Sequence, residues 1–122
     1  MVQLRSIIKP ADNSGAKRVQ IIQIYTGSKH KSAGIGDIVL AAVKEAAPNS
    51  AVAKKDKVRM LLVRTKKEIS RADGSHIRFS DNAGVVIDAQ NNPRGSRIFG
   101  PIAREIKTLG YTQIVSLTKE VY

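Results

Sequence analysis

The stretch "VRMLLVRTKKEIS", Val58 to Ser70, joins the two kinds of segment from which this chain is built. Its first part, Val58 to Thr65, has the β-branched and aliphatic composition of a strand. Four consecutive apolar side chains are expected to enter the core: Met60, Leu61, Leu62 and Val63. The sequence then turns abruptly basic at Lys66. A core strand that leads directly into charged residues predicts a small β-domain with cationic side chains on its surface.

Other short β-branched runs are found on both sides of this strand, each between turn residues. With it, the predicted strands are Leu4–Ile8, Val19–Tyr25, Asp37–Ala46, Val58–Thr65 and Gly84–Asp88. The segment "ADNSGAK" predicts a tight bend in which Asp12 and Asn13 cap the backbone and Gly15 takes a positive φ. The 122 residues are enough for one domain with its own core. We therefore predict one mainly β domain, an antiparallel barrel or sandwich.

Residues 66–79 are predicted to form a two-stranded ribbon whose tip is Ala72, Asp73 and Gly74, because Asp-Gly favours a hairpin turn. The period of two divides its side chains between two faces. One face carries Ile69, Ile77 and Phe79, and the other carries Lys66, Glu68, His76 and Arg78. We expect so polar a ribbon to project from the body.

The hydrophobic period changes after the loop "NNPRGSRIFG" at residues 91–100. Apolar residues at i, i+4 and i+7 predict a helix that begins near Pro101 and ends at Gly110. These residues are Ile102, Ile106 and Leu109. Thr112 is predicted to cap a second short helix that continues through Leu117. Both helices are too short to be stable alone, so they must pack against the rest of the protein or a partner.

The charge of the chain points to a polyanionic partner. Lys and Arg number 21 against 10 Asp and Glu, which gives a formal net charge of +11 and a pI near 10.3. Nucleic acid is favoured over a membrane, because the longest apolar run, Ile38–Val43, is too short to cross a bilayer. With no Trp, two Phe and three Tyr, base stacking is not expected to be the main binding mode. The N-terminal residues do not resemble a secretion signal, so we expect an intracellular protein.

Neither a catalytic site nor a cofactor site is predicted. There is no cysteine, so disulfides and thiolate metal sites are excluded. His30 and His76 lie in basic segments and are interpreted as solvent-exposed. Asp81 and Asp88 flank the fifth strand and are interpreted as turn caps, not as an acid–base pair.

The basic residues are the strongest functional signal, because they fall in turns and at strand ends. One interpretation is that they only keep the surface soluble; phosphate contact is favoured, because solubility does not require so large an imbalance. Such contacts position a protein on folded RNA without reading its sequence, and we expect mobile loop arginines to meet the phosphates. The candidate rRNA-binding residues are Lys17, Arg18, Lys29, Lys31, Lys54, Lys55, Arg64, Lys66, Lys67, Arg71, Arg78, Arg94, Arg97 and Arg104.

Several motifs, in this order along the chain, resemble the universal large-subunit ribosomal protein fourteen family of the bacterial and organellar type. They are "ADNSGAKR" (Ala11–Arg18), "GIGDIV" (Gly34–Val39), "VRTKKE" (Val63–Glu68), "DGSHIRF" (Asp73–Phe79), "GSRIFGPIAREI" (Gly95–Ile106) and the terminal "IVSLTKEVY". The resemblance extends from about Val2 to Tyr122. It implies a five-stranded β-barrel, here residues about 1–65 and 80–90, with a protruding ribbon and two small helices in a C-terminal region of about 91–122.

The resemblance also implies a role and partners. Proteins similar to this one bind large-subunit rRNA, pack against large-subunit ribosomal proteins nineteen and three, and contribute to bridges with the small-subunit rRNA. In some organisms a ribosome-silencing factor binds the same region. By position, the implied partner and bridge residues are Arg94, Ser96, Arg97, Ile98, Phe99 and Gln113. The implied location is a bacterial cytoplasmic ribosome or, alternatively, an organellar one.

This chain departs from the family pattern near its end, where Gln113 replaces a frequent lysine and Lys119 replaces a usual proline. Two other classes of protein remain as alternatives. A free-standing RNA-binding barrel, such as a translation factor or chaperone, would share the charge and the strands. A hydrolase built on a barrel would need a convergent site of histidine and carboxylate groups, and no such site can be assembled from this sequence.

Overall fold

The computed structural model describes residues 2–13, 15–25, 32–48, 54–71, 73–95, 97–118 and 121. Strands alternate with turns up to the last strand, and two short helices follow a long loop. The strands are β1 (Val2–Gln3), β2 (Ile7–Pro10), β3 (Ala16–Ile24), β4 (Ser32–Ala33), β5 (Ile38–Ala46), β6 (Lys57–Arg64), β7 (Ile69–Ser70), β8 (His76–Ile77) and β9 (Ala83–Ile87). The helices are α1 (Glu105–Thr108) and α2 (Thr112–Leu117).

Five of the strands close into a barrel in the order β2, β3, β5, β6, β9, which confirms the predicted architecture. Neighbouring strands are antiparallel at every seam except the last, where β2 and β9 run parallel. The all-antiparallel prediction was therefore wrong at this one seam. Strands that follow one another in the barrel pair antiparallel, so their directions alternate. Closing the barrel pairs the first strand, β2, with the fifth, β9, and these two therefore point the same way.

The run of apolar residues in β6 is explained by burial on both faces of the strand. Met60 and Leu62 point into the barrel and join the cluster that contains Val19, Val39 and Val86. Leu61 and Val63, which alternate with them, join a second cluster on the outside of the barrel. All four β6 side chains are fully buried, as predicted.

The second cluster attaches the C-terminal region to the barrel. Side chains on the outer face of β6 and β9 pack against apolar residues of the loop and helices, and the main members from the C-terminal region are Ile98, Ile102, Ile106 and Ile114. Each of these isoleucines is buried. Fully burying a side chain of this size contributes about 1.5–3 kcal/mol, so the outer face of β6 and β9 fixes where the C-terminal region lies.

All five predicted barrel strands are confirmed to within three residues at either end. The first differs most, because Leu4 and Arg5 form a turn and the strand begins at Ile7. Arg5 has a φ of 70°, which a continuous strand does not permit. Leu4 and Ile7 are accordingly more than half exposed. The bend near Gly15 and the turn at Gly36 have the positive φ values that their sequences favour.

The ribbon is present but shorter than predicted. Among the described residues of the ribbon, the ladder between β7 and β8 consists of the pairs Ile69–Ile77 and Ser70–His76. Ala72, predicted at the tip, lies outside the described residues. The predicted faces are confirmed, since the three apolar side chains are half-buried and the four polar ones are exposed. Asp73 accepts hydrogen bonds from the Ser75 hydroxyl at 2.6 Å and the Ser75 amide at 3.0 Å, which closes the turn.

The first helix is much shorter than predicted. Pro101 and Ile102 lie outside it, and Ile102 forms a parallel bridge with Val121 instead. Leu109, predicted on the buried face, is 57% exposed. The helix ends at Thr108, and Gly110 closes it as predicted. The positive φ of Gly110 and its amide hydrogen bond to the Lys107 carbonyl, with that of the Tyr111 amide to the Ile106 carbonyl, form a Schellman cap.

The second helix ends at Leu117 as predicted, but its start differs. Thr112 is the first helical residue and not the cap, a position taken by Tyr111 without a capping side-chain hydrogen bond. The Tyr111 ring packs instead on the outer apolar cluster.

Candidate nucleic-acid interface

The segment that leaves the barrel after β9 holds the loop in which arginines are concentrated. We call residues 94, 95 and 97–100 the arginine loop. It begins after an Asx turn in which Asp88 Oδ1 accepts hydrogen bonds from the amides of Gln90 and Asn92, both at 2.9 Å. This confirms Asp88 as a turn cap. The Arg94 amide then donates to the Val86 carbonyl at 3.0 Å, which returns the chain to the edge of β9.

Two polar residues before β3 hold the middle of the arginine loop. Asn13 Oδ1 accepts from the Arg97 amide at 3.1 Å, and the Asn13 amide donates to the Arg97 carbonyl at 3.2 Å. Asp12, which is 6% exposed, accepts from the Val86 amide at 2.9 Å. The sequence predicted these two residues as local caps of their own bend. Their bonds across the molecule were missed, because partners 74 and 84 residues away leave no local pattern.

The end of the arginine loop is held by Arg64, a half-buried arginine. The Phe99 amide donates to the Ala11 carbonyl at 2.6 Å, while the Phe99 carbonyl accepts from Arg64 Nη1 at 3.2 Å. The other side of the same guanidinium faces Asp81, with Nη2 at 3.3 Å from Oδ2 and Nε at 3.1 Å from Oδ1. The Nε contact is an ion pair whose alignment falls outside that of a hydrogen bond. Asp81, predicted as a turn cap, is therefore the ion-pair partner of Arg64.

A second arginine connects the ribbon to α1. Arg71 Nε lies 2.8 Å from Glu105 Oε1, and Nη2 lies 3.4 Å from Oε2. The side chains are 19% and 33% exposed. The ribbon, expected to project freely, is thus tied to the C-terminal region through this pair. Arg64 and Arg71, both predicted to meet RNA, use their guanidinium groups within the protein.

Most of the other candidate rRNA-binding residues lie at the surface, on several different elements of the fold. Arg18 also pairs with Glu45 at 3.0 Å, but both side chains are more than half exposed. Exposed pairs of this kind contribute little to stability, so that guanidinium stays accessible to another anion. The exposed candidates are Lys17, Arg18, Lys54, Lys55, Lys66, Lys67, Arg78, Arg94, Arg97 and Arg104. Lys29 and Lys31, like His30, lie outside the described residues.

The residues implied as a partner and bridge interface divide into exposed and buried ones. Arg94, Arg97 and Gln113 are exposed, and Phe99 is 52% exposed. Ile98 is only 5% exposed, because it bridges to Asp12 and packs in the outer cluster. It is therefore a core residue and not a contact residue. Ser96 lies outside the described residues.

Neither metal chemistry nor a membrane span is found where the structure is described. Its residues contain no group of three or more His, Cys, Asp or Glu side chains that could hold a metal ion. None of its helices is both long enough and apolar enough to cross a bilayer. His76 is exposed, as predicted, and its Nδ1 lies 3.1 Å from the Ser70 hydroxyl within the ribbon.

The chain forms a closed barrel that carries a hydrogen-bonded basic loop. Its sequence also matches a known protein family. The sequence model of the family described as Ribosomal protein L14p/L23e matches residues 1–122. The chain belongs to the L14p/L23e family. It is accordingly a structural constituent of the large ribosomal subunit and not an enzyme. The resemblance seen in the sequence motifs is confirmed over the whole chain.

Membership of the L14p/L23e family also gives the general class of partner. The family implies association with rRNA and with other ribosomal proteins, and therefore location in a ribosome. Both alternatives, the free-standing RNA-binding barrel and the hydrolase, are set aside by this membership. The structure adds which cations of this L14p/L23e protein are exposed and which are used internally.

Proposed function

We propose that this protein binds large-subunit rRNA through its exposed basic residues, with the arginine loop as the contact that fixes its orientation. The observation that carries the proposal is the combination of exposed Arg94 and Arg97 side chains with hydrogen-bonded backbone. A backbone already held in place loses less conformational entropy on binding than a mobile one. This replaces the mobile loop arginines expected from the sequence with preorganised ones.

The remaining exposed cations extend the proposed contact. Lys54 and Lys55 precede β6, Lys66 and Lys67 follow it, and Arg78 lies beyond β8. Phosphate contacts from such separate positions fix a protein on a folded RNA without reading base identity. Arg64 and Arg71 are removed from the proposed contact set, because carboxylates already face both guanidinium groups.

The same face is proposed to meet other components of the ribosome. Phe99, exposed beside the arginines of the loop, gives an apolar contact, and Gln113 on α2 gives a polar one. The family resemblance supports ribosomal proteins nineteen and three as neighbours, the small-subunit rRNA across a bridge, and a ribosome-silencing factor where one is present. It also supports a bacterial cytoplasmic or an organellar ribosome as the location.

The dependence of rRNA affinity on salt tests the electrostatic part of this proposal. If about eight phosphates are neutralised, the logarithm of the affinity for transcribed large-subunit rRNA falls by roughly 6–7 per tenfold increase in salt. Filter binding over a salt series measures that slope. A slope near zero would refute phosphate contact as the basis of binding.

A charge reversal tests the arginine loop itself. Arg97→Glu is expected to weaken rRNA binding and subunit assembly or joining while the fold stays intact, because the side chain is exposed. Lys44→Glu, an equal charge change at an exposed position on β5 outside the proposed contact set, is the control. Sucrose-gradient profiles of ribosomes measure assembly, and thermal unfolding measures the fold. Equal defects in the two variants would exclude a special role of the loop.

A further inference from the structure

The geometry points to Arg64 as a positioning residue that holds the arginine loop in place and does not itself contact RNA. This inference rests on the proposed function, because it concerns how the loop that is proposed to meet rRNA acquires its shape. The Arg64 side chain leaves the end of β6 and reaches the loop 35 residues later in the chain. It thereby connects the last residue of β6, a strand with a buried centre, to the exposed binding loop.

Two nitrogens of the guanidinium donate hydrogen bonds, and the third, Nε, lies in an ion pair. Nη1 donates to the Phe99 carbonyl at 3.2 Å, and Asp81 faces Nη2 and Nε from the other side. The planar guanidinium presents donors on two edges, so a single side chain can hold a carboxylate and a carbonyl at once. One end of this bridge is thus a charged pair near the barrel, and the other is the backbone of the arginine loop.

Contact between Arg64 and a phosphate is disfavoured by the same arrangement. The Arg64 side chain is 12% exposed, whereas that of Asp81 is 41% exposed. An approaching phosphate would therefore meet the carboxylate more readily than the guanidinium, and like charges repel. The positive charge of Arg64 is already balanced where RNA would approach.

A glycine next to Phe99 gives a second, independent observation. Gly100 has a φ of 82°, and a Cβ added there would overlap Arg64 Nη1. The residue therefore leaves space for the guanidinium as well as adopting a left-handed backbone conformation. Its carbonyl accepts a hydrogen bond from the Thr118 hydroxyl at 3.1 Å, which holds the same point from the C-terminal side.

Two substitutions disturb this bridge in different ways. Arg64→Gln removes the guanidinium group and its charge. Gly100→Ala keeps every charge but displaces the guanidinium group, because the new Cβ would overlap it. If Arg64 acts by position, both variants speed hydrogen exchange at the Arg97 and Phe99 amides by about 10-fold or more, since a hydrogen bond to a charged group is lost. Exchange measured by NMR on the free protein reports this without RNA.

Matched controls distinguish the effect of losing the Arg64 bridge from the effects of losing a positive charge and of straining the backbone. Lys44→Gln removes one exposed positive charge on β5. Gly110→Ala places alanine at a φ of 93°, where the described residues beyond its local backbone put no heavy atom within 4 Å of the new Cβ. Neither control is expected to change exchange at Arg97 or Phe99. Thermal unfolding of each variant confirms that the whole protein is folded at the temperature of measurement.

Affinity for transcribed large-subunit rRNA completes the test. Arg64→Gln and Gly100→Ala are expected to weaken binding about 10-fold with the salt slope of the wild type, because the same phosphates are contacted by a loop that is less ordered. In an Arg97→Ala background most of that loss should disappear, because the loop then lacks its central arginine.

Two results would overturn the inference. One is unchanged loop exchange in Arg64→Gln together with a salt slope lowered by about 0.7–0.9, which is the signature of a direct phosphate contact. The other is unchanged loop exchange in both Arg64→Gln and Gly100→Ala. Failure of the wild-type protein to bind the rRNA at all would instead refute the proposed function, and exchange in the free protein would still show whether Arg64 holds the loop.

Discussion

The arginine loop and the ribbon are both basic segments outside the barrel, but they are attached in different ways. The loop is hydrogen-bonded through its own backbone at Arg94, Arg97 and Phe99. In the ribbon, β7 and β8 pair with each other. Its base is bonded to the body through the Phe79 and Lys66 amides, and farther along Arg71 is joined to Glu105 by side chains. Backbone bonds repeated along a segment fix its path, whereas bonds at the base and a side-chain pair farther along leave the path between them less restrained.

The difference indicates what the arginine loop and the ribbon each contribute to the proposed RNA binding. The loop has already lost most of its conformational entropy when the protein folds, so little more is lost on binding. It is therefore suited to set the orientation of the protein on its partner. The ribbon carries exposed cations on a backbone that is less restrained. It is therefore suited to attract the RNA electrostatically from a distance, and less suited to fix the position of the protein on it. The experiments below test whether the loop and the ribbon are as independent as their attachments suggest.

The largest effect is expected when the anchor beneath the loop is removed. Asp12→Ala leaves the buried Val86 amide without its acceptor, and we expect the free energy of unfolding to fall by about 2–3 kcal/mol. Urea denaturation measures this loss. Hydrogen exchange should increase at the Phe99 amide but not at the Arg71 amide of the ribbon.

Asp12→Asn is the matched variant for this experiment, because it keeps a carbonyl oxygen that can accept from Val86. It should lose clearly less stability than Asp12→Ala. Equal losses in the two variants would show that the charge of Asp12, and not its role as an acceptor, is what matters. An equal increase in exchange in loop and ribbon would show that they are one cooperative unit.

Local patterns in the sequence were sufficient for the barrel, because its strands are defined by features that are close together in the chain. Met60–Val63 is apolar without interruption, and the structure shows the reason: alternate side chains enter clusters on opposite faces. The turn at Gly15 was predicted for a similar reason, since only a few residues decide a positive φ.

The candidate site was predicted less well, because its geometry depends on distant partners. Nothing beside Arg64 in the sequence indicates that Asp81 and the Phe99 carbonyl surround it. An arginine in a basic run has the same local pattern whether it meets a phosphate or a carboxylate of its own chain. The predicted start of the first helix was wrong for a similar reason, because Ile102 fits the helical spacing but forms a bridge with the distant Val121.

A smaller effect is expected from the pair that ties the ribbon to α1. In a double-mutant cycle of Arg71→Gln and Glu105→Gln, we expect a coupling of about 0.5–1 kcal/mol, because both side chains are partly exposed to solvent. Each single variant should speed exchange at the Gly74 amide, which donates to the Arg71 carbonyl.

The Phe99 amide serves as the internal control, because its bond to Ala11 belongs to the arginine loop. Its exchange should match the wild type in both single variants and in the double variant. A change there as large as that at Gly74 would mean that α1 transmits the loss from the ribbon to the loop, and the two attachments would not be independent.

The smallest effect is a response to pH confined to the ribbon turn. The hydrogen bond from the Ser75 hydroxyl, with that from the Ser75 amide, holds the pKa of Asp73 below its ordinary value of 3.8. The unfolded turn lacks these bonds, so its carboxyl titrates at the ordinary value. The stabilisation by ionised Asp73 is therefore complete above that value and is lost as pH falls through the lower pKa of the folded turn.

An NMR titration into the acid range, followed at the Ser75 amide, measures this response. The Ser75 signal should shift with the ionisation of Asp73, and Asp73→Asn, which cannot titrate, should abolish the shift. The Phe99 amide should not follow the same transition, because no group in the ribbon turn holds its acceptor. A Ser75 transition at or above 3.8 would contradict the hydrogen-bonded turn, since the hydrogen bonds from Ser75 are the largest causes that lower the pKa of Asp73.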